Sequence, residues 1–189
     1  MTTAISIDIE TMSTAPTAAI ASIGACRFAI GGDGIGDWIG DTFHMHVSLA
    51  NCQRHGLTID ASTVLWWIKQ GDDAKAALLG GQQDAAPLVT ALEALANFID
   101  ATDDGGPEKP TIWANGASFD LPILANAYRT VGMPLPWKFW EERDLRTLKA
   151  LRPECRIPHA GIAHHALDDA VHQARLIQSI QKQLLEALA

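Results

Sequence analysis

Cysteine is scarce and scattered in this chain. The three residues, Cys26, Cys52 and Cys155, are odd in number and show no CxxC or Cys/His pattern, which excludes a disulfide scaffold and a structural zinc site and makes a reducing cytoplasm the expected compartment. No stretch approaches the roughly 18 unbroken apolar residues of a membrane span. The opening MTTAISIDIE has no basic head and no apolar run of signal-peptide length, so neither a leader nor a membrane partner is expected. Positive charge is also short, with 14 Lys and Arg against 22 Asp and Glu and a net charge of -8. That balance argues against a clamp on long duplex DNA. It leaves room for phosphate substrates, because bound divalent ions invert the local potential. Internal repeats and low-complexity tracts are missing.

What remains is an ordinary globular composition: 189 residues, 48% hydrophobic and 19% charged, enough for one domain over 1–189 with a sizeable core. ISIDIETM, at 5–12, alternates as a strand, so Ile5, Ile7 and Ile9 face one way while Ser6, Asp8 and Glu10 face the other. Segments 18–30 and 41–49 continue as strands, giving an antiparallel meander. The intervening GGDGIGDWIG lacks Rossmann spacing and reads as a hairpin connection. Asp60 or Ser62 caps a helix that stops near Gly71, and DDAKAALL forms a short one. Residues 84–100 form an amphipathic helix with Pro87 in its first turn, ended by the polar TDDGGPEKP. A buried strand at 111–116, a helix at 119–131, a short helix at 144–152 and a long one at 166–188 complete the chain. The expected class is α/β: a central mixed β-sheet with antiparallel first strands, flanked by α-helices.

Several acids fall at telling places. Asp120 lies where the strand at 111–116 gives way to a helix, the end of a strand at which open α/β folds place their sites. Taken alone, it serves equally as a helix cap. In AHHALDDAVHQA, a helical projection puts Ala166, Ala170, Ala174, Ile177, Leu184 and Leu188 on one face. Asp169 lies at the edge of that stripe, and Asp168 points away beside His172 and Arg175, facing solvent and pairing locally. If Asp8, Glu10, Asp120 and Asp169 converge, their mutual repulsion at about 6 Å and an effective dielectric near 20 is roughly 15 kcal/mol, more than a domain's stability. Such a cluster takes up protons or binds metal. Oxygen ligands favour Mg²⁺ or Mn²⁺ over zinc, and two such ions can clamp a phosphodiester for hydrolysis. His164, five positions before Asp169 and following the IPHAGIA loop with Pro158 and Gly161, then becomes a candidate base, although a lone histidine there otherwise reads as a surface or capping residue.

In this order DIET, NGASFD and HHALDD resemble the three motifs of the DEDDh 3'-5' exonucleases, a family with the ribonuclease H-like fold that includes proofreading exonucleases and ribonuclease T. Longer stretches, DIETMSTAPTAAIASIGA, WWIKQ and HHALDDAVHQA, are similar to a phage and bacterial group that includes exoribonucleases. The resemblance implies that Asp8, Glu10, Asp120 and Asp169 are metal-associated acids, that His164 is the general base, and that His165 occupies a variable position. It further implies two Mg²⁺ (or Mn²⁺) ions, a single-stranded RNA or DNA 3' end as partner, and a homodimer. Thr11, Met12 and Phe119 match positions that contact the terminal nucleotide. The chain departs from the pattern where many relatives carry a His-Asn pair: here the matching residues are Asn115 and Gly116, so a polar contact near the scissile phosphate is either missing or supplied by Asn115 itself.

Two further features concern substrate grip. Adjacent helical residues Trp66 and Trp67 cannot both face the core, which leaves one to stack on a base or a partner subunit. Arg143, Arg146, Lys149, Arg152 and Arg156, preceded by PWKFW, make the chain's basic and aromatic concentration, either a strand-binding face or a solvated helix. Single-stranded RNA is the expected polymer and DNA the alternative. A silent binding module of the same fold would show a broken acid or histidine, and all five positions are intact.

Overall fold

The computed structural model describes residues 2–31, 38–101 and 109–188. Most of the glycine-rich hairpin connection and of the polar segment after the helix at 84–100 lies outside them. Strand β1 (Thr2–Thr11) pairs antiparallel with β2 (Ile20–Ile30), which pairs antiparallel with β3 (Ile39–His46). On its other edge β1 runs parallel to β4 (Thr111–Ala114), and β4 runs parallel to β5 (Glu142–Asp144). The five-stranded order β3-β2-β1-β4-β5 is therefore the mixed sheet expected. The third strand is shorter than its alternation suggests, because Ser48 caps a helix, α1 (Leu49–Arg54), by accepting from the N–H of Asn51.

The remaining helices are α2 (Ala61–Ile68), α3 (Asp72–Gly80), α4 (Leu88–Asp100), α5 (Ala117–Thr130), α6 (Leu145–Leu151) and α7 (Ala166–Glu186). Asp60 caps α2 through the N–H of Ser62 at 2.8 Å. Pro87 stands just ahead of α4, where its missing N–H is no loss. None of the described helices is long and apolar enough to cross a membrane.

The sheet is covered on both faces, and β1 shows why. Its odd residues Ile5, Ile7 and Ile9 are buried in a core with Leu88, Leu92 and Leu95 of α4 and Leu121, Leu124 and Tyr128 of α5. On the other face Ala4, with Cys26 and Phe28 of β2, packs against Ala174, Ile177 and Ile180 of α7. Period-two alternation thus divides β1 between two layers. Small residues set the separation. A Cβ on Gly24 would lie 2.2 Å from the carbonyl carbon of Ala166, so the first turn of α7 rests directly on β2. The apolar stripe of α7 holds through Ile177, whereas Leu184 is only partly buried and Leu188, past the end of the helix, is exposed.

Candidate active site

Asp8 and Glu10 project from the α7 face of β1, and Asp8 is paired with Gly24 across the β1–β2 ladder. Because Gly24 admits the start of α7, Asp169 and, one turn later, Gln173 come down beside these two acids. The Gln173 amide donates from Nε2 to Asp8 Oδ1 at 2.7 Å.

Asp120 arrives from the opposite edge. The β1–β4 pairing ends at Ser6 and Trp113, which leaves the outer edge of β1 unpaired beside the acids. Asp120, in the first turn of α5, takes up that slack: its Oδ1 accepts the Ile9 N–H at 3.3 Å. The start of α5 is capped from another strand, since Asp144 Oδ1 accepts the N–H groups of Gly116 and Ala117 at 3.1 and 3.2 Å. The same carboxylate caps its own helix, α6, through Arg146 and Thr147. Gly116 takes up a left-handed conformation at φ 98° that favours glycine, and the Arg146 guanidinium lies against it, 2.9 Å from where a Cβ would stand. One double cap therefore places Arg146 next to Asp120.

His164 closes the arrangement from the loop before α7. Among the described residues it is the sole non-glycine residue with positive φ, at 63°, a conformation that costs about 1–3 kcal/mol. Its N–H donates to Asp169 Oδ2 at 3.0 Å, and its ring meets the edges of Trp66 and Trp67 at centroid distances of 5.0 and 6.0 Å. Trp67 is anchored by donating from Nε1 to the Thr11 carbonyl at 2.9 Å, whereas Trp66 is 43% exposed. The other Asp169 oxygen, Oδ1, is hydrogen-bonded to His159 Nε2 at 2.6 Å. Asp168 does pair locally, but with the upstream residues His165 and the Ile162 N–H.

Crowding these acids has an electrostatic consequence. Burial, then Asp120, Glu10 and Asp169, pushes the Asp8 carboxyl well above the usual carboxylate range, with the Gln173 hydrogen bond opposing. Burial, then Asp169 and Asp120, pushes Glu10 up to about 8. Asp120 rises to about 7 through burial, opposed by the backbone N–H groups of Ile9 and Asp120 and by Arg146. Proteins tolerate such a cluster with protons or cations in it. Glu10 Oε1 is buried with no hydrogen-bond partner, and Glu10, His164 and Asp169 offer ligand atoms all within 4.8 Å of one another. An orphaned carboxylate oxygen in a mainly oxygen donor set fits a hard divalent cation.

The pieces meet in a cavity of about 420 Å³ lined by Asp8, Glu10, Asn115, Phe119, Asp120, His164 and Asp169, with Trp66, Arg146, His172 and Gln173. A second cavity of about 400 Å³ shares Glu10, Trp66 and Phe119 with it and adds Thr11, Thr14, Ser62, Thr63 and Trp67. Met12 packs into the core and is not among the residues lining either. Within the basic segment, Arg143 is spent on the carbonyls of Trp140 and Glu142, and Arg156 on those of Pro153 and Cys155. Arg146 is the member that lines the cavity. Arg146 belongs to the basic segment picked out in the sequence, whereas local pattern does not single out His159 or Gln173, whose ties to Asp169 and Asp8 form only in the folded chain. The one available signal was that Gln173 stands a turn beyond Asp169 on the same helix.

A model of the 3'-5' exoribonuclease Rv2179c-like domain matches residues 3–181. The chain belongs to this family. This Rv2179c-like chain is also 27% identical over 195 residues to the exodeoxyribonuclease of Enterobacteria phage T4, covering 88% of the chain and 82% of the phage protein. Its fold matches the nuclease domain of 3'hExo, a DEDDh family member bound to rAMP, with a TM-score of 0.68, 12% identity, and coverage of 96% of this chain and 92% of that one. A 3'-exonuclease described in 3'-end specific recognition of histone mRNA stem-loop matches at a TM-score of 0.63 and 13% identity, covering 96% of this chain and 82% of its own. The Rv2179c-like chain thus has the ribonuclease H-like fold of the DEDDh exonucleases, and it is a 3'-5' exonuclease.

Proposed function

We propose that the protein is a Mg²⁺- or Mn²⁺-dependent 3'-5' exoribonuclease that removes nucleoside 5'-monophosphates from the 3' end of single-stranded RNA. The observation carrying this reading is the meeting of Asp8, Glu10, Asp120, Asp169 and His164 around one cavity. Two ions held by these acids would supply an activated water and a stabilised leaving oxygen. The chain's own groups do the rest. The His164 ring, braced by two tryptophan edges, accepts the proton of the attacking water. Arg146 offers the scissile phosphate a planar cation, and the Asn115 amide lines the same space. Thr11 and Phe119 receive the terminal nucleoside in the adjoining cavity, with Met12 supporting them from the core, and Trp66 provides a face for stacking. By resemblance, residues 1–189 act as one domain within a homodimer.

A second reading keeps the mechanism and changes the polymer to DNA. It is favoured by the similarity to the phage exodeoxyribonuclease. Matched 5'-labelled RNA and DNA oligonucleotides incubated with Mn²⁺ separate the two. RNA shortened faster from its 3' end supports the first reading and faster trimming of DNA the second, while trimming of neither defeats both. Under the same conditions His164→Ala is expected to slow turnover by about 10²-fold or more. Turnover equal to wild type would remove it as the base.

A further inference from the structure

Gln173 is 4% exposed, lines the catalytic cavity and uses only half of its amide. Asp8 is a hydrogen-bond acceptor when ionised, so the NH₂ end must face it, as the 2.7 Å contact from Nε2 requires. That orientation leaves Oε1 on the other side of the amide, buried and with no hydrogen-bond partner. A buried acceptor left unsatisfied is destabilising, so the oxygen end of the amide does not explain the residue. Its neighbours on the stripe, Ala170, Ala174 and Ile177, are apolar and fully buried. What distinguishes this glutamine in their midst is the partner of its NH₂ group, Asp8.

Asp8 needs such a partner. Its carboxyl shares one cavity with Glu10, Asp120 and Asp169, and the Gln173 amide is the side chain that donates a hydrogen bond to it among the described residues. Ligating carboxylates are commonly held in register by an outer hydrogen bond, and losing that bond typically lowers metal affinity about 10–100-fold.

We propose that Gln173 is a positioning residue of the metal centre: its NH₂ group fixes the Asp8 carboxylate for ligation. The inference rests on the metal-dependent reading above. It makes α7 a two-point scaffold, carrying one acid in Asp169 and, a turn later, the clamp for another acid on β1.

The test uses the whole chain and Gln173→Met, which keeps side-chain volume while removing both amide functions. Isothermal calorimetry with Mn²⁺ should give an affinity about 10–100-fold weaker than wild type. Turnover should fall through kcat with KM for RNA little changed, and raised Mn²⁺ should restore part of the loss. Methionine removes the unsatisfied Oε1 but also leaves Asp8 Oδ1 without its partner, so a melting curve serves to show that the metal-free variant folds. Unchanged Mn²⁺ affinity in a folded Gln173→Met variant would overturn the proposal while leaving the metal-dependent reading standing. If wild type itself bound no Mn²⁺, the metal-dependent reading would fail first and this one with it.

Discussion

Asp120 Oδ1 accepts the N–H of Ile9, the residue between Asp8 and Glu10, at 3.3 Å. One side chain therefore both fastens α5 to the free edge of β1 and adds negative charge to the acid cluster. Asp120→Asn separates these duties, since an asparagine oxygen can still accept from Ile9. The variant should remain folded and lose turnover by about 10³-fold, the loss of several kcal/mol of charge stabilisation at the metal centre. Its metal-free form should melt no lower than wild type at pH 8, one repulsive charge having been removed. Steady-state kinetics with Mn²⁺ and thermal melts check both parts, and turnover within tenfold of wild type would show that Asp120 is not needed for the metal centre.

Trp66 and Trp67 are neighbours in sequence with opposite duties. Trp67 is 4% exposed and anchored to the Thr11 carbonyl, so Trp67→Ala should destabilise the protein by about 3–5 kcal/mol. Trp66 is half exposed and lines both cavities, so Trp66→Ala should barely move the denaturation midpoint. Loss of one base-stacking face, about 1–3 kcal/mol, should instead raise KM for oligonucleotides roughly 5–150-fold. Urea titrations and kinetics on both variants decide it, and a reversed pattern would remove Trp66 from the substrate path.

Much of this was legible before any coordinates. Alternation in β1 forecast that Ile7 and Asp8 would belong to different layers, because the pleat fixes side-chain direction whatever the context. The alanine stripe of α7 forecast that Asp169 would border the core, and the adjacency of two tryptophans forecast that one would stay out of it. β5 escaped notice: Glu142, Arg143 and Asp144 form a three-residue edge strand with no apolar alternation, and short charged edges carry little strand signal. α1 was hidden in an extended-looking run whose turning point is a single capping serine. The ties of His159 to Asp169 and of Gln173 to Asp8 leave no trace in local sequence, because they exist only once α7 and its leading loop have docked. Helical projection turns Asp168 to solvent because it ignores the loop folding back over the helix start, where the Ile162 N–H finds it.

Gly24 is where docking of α7 can be tested most directly. A methyl group there meets Ala166 backbone at 2.2 Å, whereas one at Gly80 meets nothing within 4 Å. Gly24→Ala should therefore cost about 1–3 kcal/mol or more, since helix and strand must separate. Residual folded protein should also lose turnover, because Asp169 and His164 travel with α7. Gly80→Ala, in the last turn of α3, should be neutral or slightly stabilising. Melting curves of the two variants side by side provide the check, and equal behaviour would mean that α7 does not depend on this approach.

The raised carboxyls also make stability a function of pH, with a definite sign. An acid whose folded-state pKa lies above its unfolded value binds more protons in the folded state, so stability is lost as pH rises between the two values. For Glu10 that window runs from its ordinary value of 4.5 to about 8, and for Asp120 from 3.8 to about 7. The metal-free protein should consequently lose stability relative to Glu10→Gln as pH rises through this range, with the difference levelling off above about pH 8. Metal binding draws on the ionised forms, so Mn²⁺ uptake should tighten through the same window and release protons, more of them at pH 6 than at pH 9. Calorimetry in buffers of different ionisation enthalpy counts those protons, and paired melts of wild type and Glu10→Gln follow the stability difference. If wild type instead gained stability over Glu10→Gln with rising pH, Glu10 would have a stabilising partner rather than the repulsion from Asp169 and Asp120 that defines this site.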